Sequence, residues 1–276
     1  TPVHPAEGAP LIDTCGTGGD SAGTFNISTA AAFVVAAGGA RVAKHGNRSV
    51  SSSSGSADVL EAAGARLDLG PVQVAHCIDE VGIGFLFAPK HHGALRHAVA
   101  PRRELGIRTF FNLLGPLTNP AGARRQVLGL FSDRWLRPVA EVLQALGSEH
   151  VIVVHGADGL DEMSTTGPTR VAELLQGTIR EYSVEPEDFG LSRCLPGDLR
   201  VDGADASLAM IRSAFAGEPG PAADIIAINA GAGLTVAGLV ADLAAGVVRA
   251  QELLRSGEAA RRLEAFVQFS NAQVAA

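Results

Sequence analysis

Cysteine is scarce in this sequence of 276 residues, and its three copies, Cys15, Cys77 and Cys194, lie far apart. None belongs to a CxxC pair or to a Cys/His spacing, which argues against a disulfide framework and against a structural zinc site. The cysteine pattern favours a reducing compartment. Because no secretory signal or transit peptide opens the sequence, we expect a cytoplasmic protein.

Positive charge and long apolar runs are also in short supply. Lys and Arg number 22 against 29 Asp and Glu, which gives a formal net charge of −7. This balance disfavours nucleic acid and anionic membranes as partners, because both are captured by Lys and Arg facing phosphates. The most apolar stretch, residues 222–250, contains Asp224, Asn229 and Asp242, so it does not predict a membrane-spanning helix.

Hydrophobic residues are plentiful, at 46% of the chain, and they can form a sizeable core. Short apolar runs alternate with longer helical patterns, which is typical of an α/β fold with a mostly parallel sheet covered by helices. The predicted strands are residues 10–13, 40–43, 84–88, 126–130 and 151–154.

Helices are predicted where a capping residue or Pro opens an apolar pattern and Gly closes it. They cover residues 28–37, 56–63, 71–81 and 133–146, where Pro138 occupies the first turn or marks a kink. Two β-like runs flanking Gly177, within residues 170–184, predict a hairpin. The rest of the chain is predicted to be helical over residues 207–215, 222–234, 236–254 and 259–271.

A glycine-dense turn, DTCGTGGD at residues 13–20, follows the first predicted strand and precedes a helix. Without side chains at Gly16, Gly18 and Gly19, backbone N–H groups can close on an anion, and the helix N-terminus adds its positive end. The segment matches neither GxxxxGK[ST] nor GxGxxG. Taken alone, it fits a phosphate site and a plain tight turn equally well.

Two further segments strengthen the phosphate interpretation. Residues 44–58, KHGNRSVSSSSGSAD, combine cations, an amide and hydroxyls after a predicted strand, although a flexible serine-rich loop would have a similar composition. Asp161 and Glu162 follow the strand predicted at residues 151–154, and magnesium prefers oxygen ligands that it shares with substrate phosphates. Solvated surface acids are the simpler interpretation of that pair alone.

Five ordered motifs together closely resemble the anthranilate phosphoribosyltransferase family of tryptophan biosynthesis. They are GTGGD (16–20), TFNIST (24–29), KHGNRSVSSSSGSADVLEAAG (44–64), RRELGIRTFFNLLGPLTNPA (102–121) and GLDEMS (159–164). The resemblance implies a large α/β domain with a mixed, mostly parallel sheet and a small helical domain built largely from N-terminal helices. Because GTGGD begins at Gly16, we expect that helical domain to be truncated at its N-terminus.

The resemblance also implies a domain division and an assembly. Residues 1–9 would be a residual N-terminal segment and residues 10–276 the phosphoribosyltransferase domain, with about 91–120 contributing to the small helical domain. Members of the family pair through the helical domain, so a homodimer is expected of an intact member. Whether this chain pairs is left open.

The implied reaction transfers the phosphoribosyl group of phosphoribosyl pyrophosphate to the amine of anthranilate and releases pyrophosphate. Positive charge develops on the ribose and negative charge on the leaving group, so catalysis is mainly electrostatic and positional. No residue is expected to act as a covalent nucleophile, and Cys15 is interpreted as a small buried residue. By resemblance, the residues that bind phosphoribosyl pyrophosphate are Gly16, Gly19, Asp20, Thr24, Asn26, Ile27, Ser28, Thr29, Lys44, His45, Gly46, Asn47, Arg48, Ser49, Val50, Ser51, Ser52 and Ser56.

By the same resemblance, Gly16, Asn47 and Arg102 would hold anthranilate, with Arg102 pairing its carboxylate. Ser28, Asp161 and Glu162 would hold magnesium. His45 and His92 lie in motifs near the acceptor, where structural roles are equally open. Gly93 and Leu95 depart from the family, whose members commonly carry Pro and Met there, and this difference could loosen the acceptor side.

Two other functions fit parts of the sequence. A pyrimidine nucleoside phosphorylase has a similar fold, but it would use inorganic phosphate and would need no Asp-Glu magnesium pair. A noncatalytic nucleic-acid-binding relative would carry a basic stripe and eroded substrate motifs, contrary to this acidic chain with its motifs intact.

Overall fold

The computed structural model describes residues 1–18, 22–48, 54–91 and 111–273, without the side chains of residues 111 and 112. Within those residues, seven strands form one sheet in the order β3-β2-β1-β4-β5-β6-β7. The strands are β1 (Leu11–Gly16), β2 (Arg41–Gly46), β3 (Ile83–Phe87), β4 (Arg125–Gly129), β5 (His150–Gly156), β6 (Thr169–Leu175) and β7 (Thr178–Val184). The first five strands pair in parallel, and β6 and β7 are antiparallel to their neighbours. The mixed, mostly parallel sheet is therefore confirmed.

The helices account for most of the remaining described chain. They are α1 (Ile27–Ala37), α2 (Ser56–Ala62), α3 (Pro71–Val81), α4 (Ala88–His91), α5 (Phe111–Leu114), α6 (Leu136–Ala145), α7 (Ala204–Phe215), α8 (Pro221–Ala237), α9 (Leu243–Arg255) and α10 (Glu258–Ala272). In the described part of the chain, no helix combines the length and the apolar character needed to cross a membrane.

The parallel strands β1 to β5 are buried on both faces, and successive residues of each strand point to opposite sides. Val127 of β4 and Ile152 of β5 pack into the larger core, which also contains α1, α8, α9 and α10. Leu128 and Val151 point the other way, into a smaller core with α6. Because β1 to β5 are parallel, their C-terminal ends lie at one common edge of the sheet, where the loops that follow them meet.

The predicted hairpin is confirmed, with a two-residue turn between β6 and β7. Gln176 and Gly177 have φ values of 48° and 76°. Positive φ at both positions suits the right-handed twist of the paired strands. Pro138 lies in the first turn of α6, where a missing backbone N–H costs no helical hydrogen bond.

One predicted helix, residues 236–254, was wrong at its start. α8 continues to Ala237 and ends at Gly238, whose φ is 75°. The next helix begins only at Leu243, after the Asp242 side chain accepts a hydrogen bond from the backbone N–H of Ala245. Gly238, in the left-handed conformation, and the N-cap Asp242 thus separate two helices, where hydrophobic periodicity alone had predicted one continuous helix over residues 236–254.

Candidate active site

The acidic pair lies in the loop after β5 and contacts the ends of two neighbouring strands. A Cβ atom built on Gly129, the last residue of β4, would lie 1.5 Å from the carbonyl oxygen of Asp161. One built on Gly16, the last residue of β1, would lie 2.4 Å from Asp161 Oδ2. Glycine at both strand ends leaves room for Asp161 to approach, and at Gly129 the neighbour is backbone that cannot rotate away.

Backbone donors from the glycine turn and from α1 bind the two carboxylates. The N–H of Gly18 donates to Asp161 Oδ2 over 2.6 Å, and the N–H of Ser28 donates to Glu162 Oε1 over 3.2 Å. Glu162 therefore lies at the N-terminus of α1, where the helix dipole favours negative charge. The predicted phosphate turn and the predicted metal pair are brought together, although they are more than 130 residues apart in sequence.

Lys44 brings a buried positive charge to the same edge from β2. Its Nζ donates to the carbonyl oxygen of Thr14 over 2.6 Å, and the residue is 2% exposed. Burial lowers the pKa of Lys44, while the nearby charges of Asp13, Glu162 and Asp161 act in the opposite direction. The β2 end thus supplies a cation close to the carboxylates.

Asp13 is the counterpart of Lys44 beneath the site, and the sequence prediction missed its role. It is fully buried, and burial raises its pKa although Lys44 opposes the shift. Its Oδ1 accepts from the N–H of His45 over 3.0 Å, and its Oδ2 accepts from Asn119 Nδ2 over 2.8 Å. Asn119 also donates to the carbonyl oxygen of Ala43 over 2.9 Å. The available signal was an acidic residue inside an apolar strand, which requires buried partners.

Asn26, predicted to bind substrate, holds protein elements together through its side chain. Its Oδ1 accepts from Ser54 Oγ over 3.0 Å and from Ser207 Oγ over 2.8 Å. Its Nδ2 donates to the carbonyl oxygen of Ser54 over 3.3 Å. The amide thereby joins the loop before α1 to the serine-rich loop and to α7, a long-range contact that no local pattern predicts.

In the serine-rich segment of residues 44–58, the described residues after His45 lie near α2. Arg48 forms ion pairs with Asp58 and Glu61, with Nη1 to oxygen distances of 2.9 and 2.6 Å. Ser56 Oγ donates to the carbonyl oxygen of Asn47 over 3.2 Å. The structure therefore directs the Arg48 guanidinium to α2 and not to the acidic pair.

Three other predicted residues surround the start of α1. Thr24 pairs with Arg200 in an isolated β-bridge, and Ile27 is buried in the core. Thr29 is 2% exposed, and its Oγ1 finds no hydrogen-bond partner in the described part of the chain. A buried hydroxyl without a partner is unusual in a folded protein.

Cys15 is buried, as predicted, and its Sγ lies 3.3 Å from Gln126 Nε2. Burial raises the pKa of its thiol, and the charge of Asp13 adds to that effect. The thiol form is therefore favoured over the nucleophilic thiolate.

Several predicted residues lie outside the described residues. They are Gly19, Asp20, Ser49, Val50, Ser51, Ser52, His92, Gly93, Leu95 and Arg102. Among the residues that are described, no group of three or more His, Cys, Asp or Glu side chains could hold a metal ion. Two carboxylates and a hydroxyl would need further oxygen ligands from substrate or water.

Comparison with known proteins gives consistent matches. The chain matches the glycosyl transferase family, a/b domain, over residues 8–260. It is 63% identical to the anthranilate phosphoribosyltransferase of Thioalkalivibrio sulfidiphilus over 260 residues, 94% of this chain and 77% of that protein. It is 65% identical to the protein of the same name from Alkalilimnicola ehrlichii over 258 residues, covering 94% of this chain and 76% of that one.

Solved structures agree in fold. The anthranilate phosphoribosyltransferase of Thermus thermophilus superimposes with a TM-score of 0.92 at 49% identity, covering 98% of this chain and 80% of that one. The enzyme of that name from Saccharomyces cerevisiae, in complex with PRPP and Mg, gives a TM-score of 0.88 at 30% identity, covering 98% of this chain and 76% of that one.

Proposed function

The chain belongs to the anthranilate phosphoribosyltransferase family of glycosyltransferases, and from that membership we infer that it transfers a phosphoribosyl group to anthranilate. The bond between the ribose C1 carbon and the pyrophosphate oxygen breaks, and a bond from C1 to the amine nitrogen forms. Pyrophosphate leaves, and the amine loses a proton. The product, N-(5'-phosphoribosyl)anthranilate, belongs to tryptophan biosynthesis.

The observation that carries this function is the meeting of three motifs at one sheet edge. The glycine turn and the start of α1 donate backbone N–H groups to Asp161 and Glu162, and buried Lys44 lies close by. Backbone donors, a cation and paired carboxylates are the groups needed to hold a diphosphate with its counterion. A structural turn would not need this combination.

The chain's own residues would act mainly by position and charge. Backbone N–H groups of the glycine turn and the Lys44 ammonium would bind the diphosphate and stabilise the negative charge that develops on it. The hydroxyls of Ser28 and Thr29 would add hydrogen bonds from the first turn of α1. Fixing both substrates at one edge makes the encounter effectively unimolecular.

The donor set suits magnesium, and we propose that Asp161, Glu162 and the Ser28 hydroxyl hold it. Carboxylate and hydroxyl oxygens are ligands that this ion accepts, and both carboxylates already lie together at the site. When bound, magnesium would supply positive charge against the leaving pyrophosphate. The S. cerevisiae neighbour in complex with PRPP and Mg supports magnesium as the ion.

Gly16, Asn47 and Arg102 are proposed to hold anthranilate. Gly16 is the last residue of β1 and lies beside Asp161, and Asn47 directly follows β2. Both residues therefore lie at the sheet edge where the diphosphate is proposed to bind. Arg102 would pair with the acceptor carboxylate in a bidentate geometry. A homodimer, a helical contribution from residues 91–120 and a cytoplasmic location also stay predictions.

The test is the loss of anthranilate fluorescence with phosphoribosyl pyrophosphate and magnesium. We expect Arg102→Ala to lose acceptor use and the double variant Asp161→Ala with Glu162→Ala to lose metal-dependent turnover. The matched control replaces Glu187 and Asp188, an adjacent and exposed acidic pair, with alanine. Full activity in both site variants would contradict the residue assignments.

Two further assays separate the alternatives. Turnover with inorganic phosphate and a pyrimidine nucleoside, without magnesium, would instead indicate a nucleoside phosphorylase. Binding of single-stranded DNA with a steep salt dependence, and no turnover, would indicate the noncatalytic relative. The high identity to anthranilate phosphoribosyltransferases favours the first function.

A further inference from the structure

Asn229 is a polar residue in the middle of α8, a helix that is otherwise apolar at its centre. It is 2% exposed, and every residue of the helix from Ile225 to Val236 is buried. A buried primary amide without hydrogen bonds would be strongly unfavourable, because its polar groups would lose water and gain no partner. Its bonding partners therefore reveal why an amide stands at this position.

Two of the three hydrogen bonds of Asn229 go to one residue of the acidic loop. Its Oδ1 accepts from the N–H of Met163 over 2.9 Å, and its Nδ2 donates to the carbonyl oxygen of Met163 over 2.9 Å. The third bond, from Nδ2 to the carbonyl oxygen of Ile225 over 2.9 Å, stays within α8. The side chain thus pairs with both polar backbone groups of Met163, much as one strand pairs with another.

Met163 directly follows Glu162, so this pairing fixes the backbone next to the carboxylates. Close packing against Gly129 and Gly16 restricts the segment from the side of the sheet. Asn229 restrains it from the side of α8, where Met163 is fully buried. Small movements of this backbone would move both carboxylates relative to α1.

We propose that Asn229 is a positioning residue that sets Asp161 and Glu162 for a divalent cation. The inference rests on the proposed function for the role of that cation. This positioning role does not depend on the acceptor substrate, because Asn229 acts on the acidic loop through the Met163 backbone. Supporting groups of this kind typically change metal affinity 10–100-fold when they are removed.

The first measurement is direct metal binding. Mn²⁺ would be titrated against the protein with pyrophosphate present and free Mn²⁺ followed by electron paramagnetic resonance. We expect Asn229→Ala to weaken Mn²⁺ binding about 10-fold or more. Asn229→Asp, which retains the acceptor for the Met163 N–H but loses the donor, should fall between that variant and the parent protein.

Thr235 provides the matched control on the same helix. It is 8% exposed, and its hydroxyl donates only within α8, to the carbonyl oxygen of Gly231 over 2.8 Å. Thr235→Val therefore removes a buried polar group without touching the acidic loop. It should leave Mn²⁺ affinity unchanged even if it lowers the urea midpoint.

Steady-state kinetics provide a second measurement, the magnesium requirement of the reaction. General destabilisation would not change this requirement while leaving the KM for anthranilate unchanged. In Asn229→Ala, the magnesium concentration for half-maximal activity should rise, while the KM for anthranilate at saturating magnesium stays near the parent value. A folded Asn229→Ala that binds Mn²⁺ as tightly as the parent overturns the proposal. If Asn229→Ala does not fold, the same criterion applies to Asn229→Asp, and failure of both to fold while Thr235→Val folds makes Asn229 purely structural.

Different results would contradict the proposed function and the positioning role of Asn229. A parent protein that binds Mn²⁺ but does not consume anthranilate refutes the proposed function and leaves the Mn²⁺ comparison between variants valid. Normal anthranilate transfer with unchanged Mn²⁺ affinity in the folded Asn229 variants refutes only the positioning role.

Discussion

Single glycines decide whether the acidic pair can reach the strand ends. At Gly129 the obstacle to any side chain is the backbone carbonyl of Asp161, and at Gly16 it is the carboxylate of the same residue. A backbone obstacle cannot rotate away, whereas a side chain can adopt another rotamer. Gly129 is therefore the stricter of the two requirements.

Gly129→Ala should displace the acidic loop and reduce both stability and turnover. The added methyl group would overlap the Asp161 carbonyl, and overpacking of this kind costs typically about 1–3 kcal/mol. Urea unfolding and the anthranilate assay measure the two effects. Gly167→Ala is the control, because a Cβ atom there would have no neighbour within 4 Å among the described residues. Equal behaviour of the two variants would contradict the close approach.

The free energy of unfolding should also depend on the buried charges of Asp13 and Lys44. Each charge favours the ionised form of the other, so removing one leaves the other less compensated, at a cost of up to about 3–5 kcal/mol, the range for breaking a buried ion pair. We expect Asp13→Asn and Lys44→Met each to lower the free energy of unfolding strongly. The double variant should lose clearly less than the sum of the two.

Urea unfolding of the four proteins gives this coupling as a double-mutant cycle. The His45 N–H and the Asn119 amide donate to different oxygens of Asp13, so Asp13→Asn keeps an acceptor for one of them, whereas alanine would keep none. The cycle therefore isolates charge better than an alanine series would. Additive losses would mean that Asp13 and Lys44 act independently.

The sequence predicted the composition of the site better than its internal contacts. Gly16, Lys44 and Asp161 were predicted to share one site because they lie in motifs that resemble the family, and the structure places the three close together. The bonds of Asn26 to Ser207, and of Asn229 to Met163, were missed because they link residues 181 and 66 positions apart. Local patterns carry no record of such pairings, although a polar residue inside an apolar helix signals that one exists.

At the scale of elements, the antiparallel end of the sheet has its own polar cluster. His150 of β5 places Nε2 at 2.8 Å from Glu173 Oε1 of β6, and the Tyr182 hydroxyl of β7 donates to Glu173 Oε2 over 3.0 Å. These bonds join three strands across one face. The hydrogen bond from His150, followed by that from Tyr182, holds the pKa of Glu173 below its ordinary value of 4.5.

The stabilising effect of Glu173 should depend on acid pH. A carboxyl group whose pKa is lower in the folded state stabilises the protein above the unfolded pKa, and it loses that effect as pH falls through the folded pKa. Glu173→Gln should therefore reduce the free energy of unfolding by about 1.5–3 kcal/mol near neutral pH. Its difference from the parent should shrink once the pH drops below 4.5, the ordinary pKa of a glutamate.

Chemical unfolding at a series of pH values tests this element-level role. Glu141→Gln changes an exposed glutamate of α6 and should stay within about 0.5 kcal/mol of the parent throughout. A Glu173→Gln deficit that stays constant from neutral pH to well below the ordinary glutamate pKa would show that packing, and not charge, explains the loss.

Element boundaries show which local signals outweigh periodicity. The strands and the hairpin agree with prediction because apolar runs and a Gly-containing turn specify them locally. The helix predicted at residues 236–254 failed because apolar periodicity continued through Gly238 and Asp242, the two residues that end one helix and begin the next. Capping residues outweigh the hydrophobic pattern at this boundary.

For the molecule as a whole, the proposed ligand would contact loops that follow three different strands. The glycine turn follows β1, Lys44 lies near the end of β2, and the acidic pair follows β5, with β4 lying between β1 and β5 in the sheet. A ligand that contacts all three loops binds only when the sheet is intact. Binding should consequently stabilise the entire chain against unfolding and not only the loops.

Phosphoribosyl pyrophosphate with magnesium should therefore raise the unfolding temperature by roughly 5 °C at a ligand concentration about 100-fold above Kd. Magnesium alone should do far less, because the proposed protein ligands are only two carboxylates and a hydroxyl. The variant with Asp161→Ala and Glu162→Ala should lose the magnesium-dependent part of the shift, while the alanine control at Glu187 and Asp188 retains it. Differential scanning fluorimetry measures the unfolding temperature in each of these conditions.

Phosphoribosyl pyrophosphate without magnesium is the decisive comparison. The carboxylates of Asp161 and Glu162 repel a diphosphate unless a metal ion lies between them. Equal protection with and without magnesium would therefore mean that the acidic pair does not take part in binding.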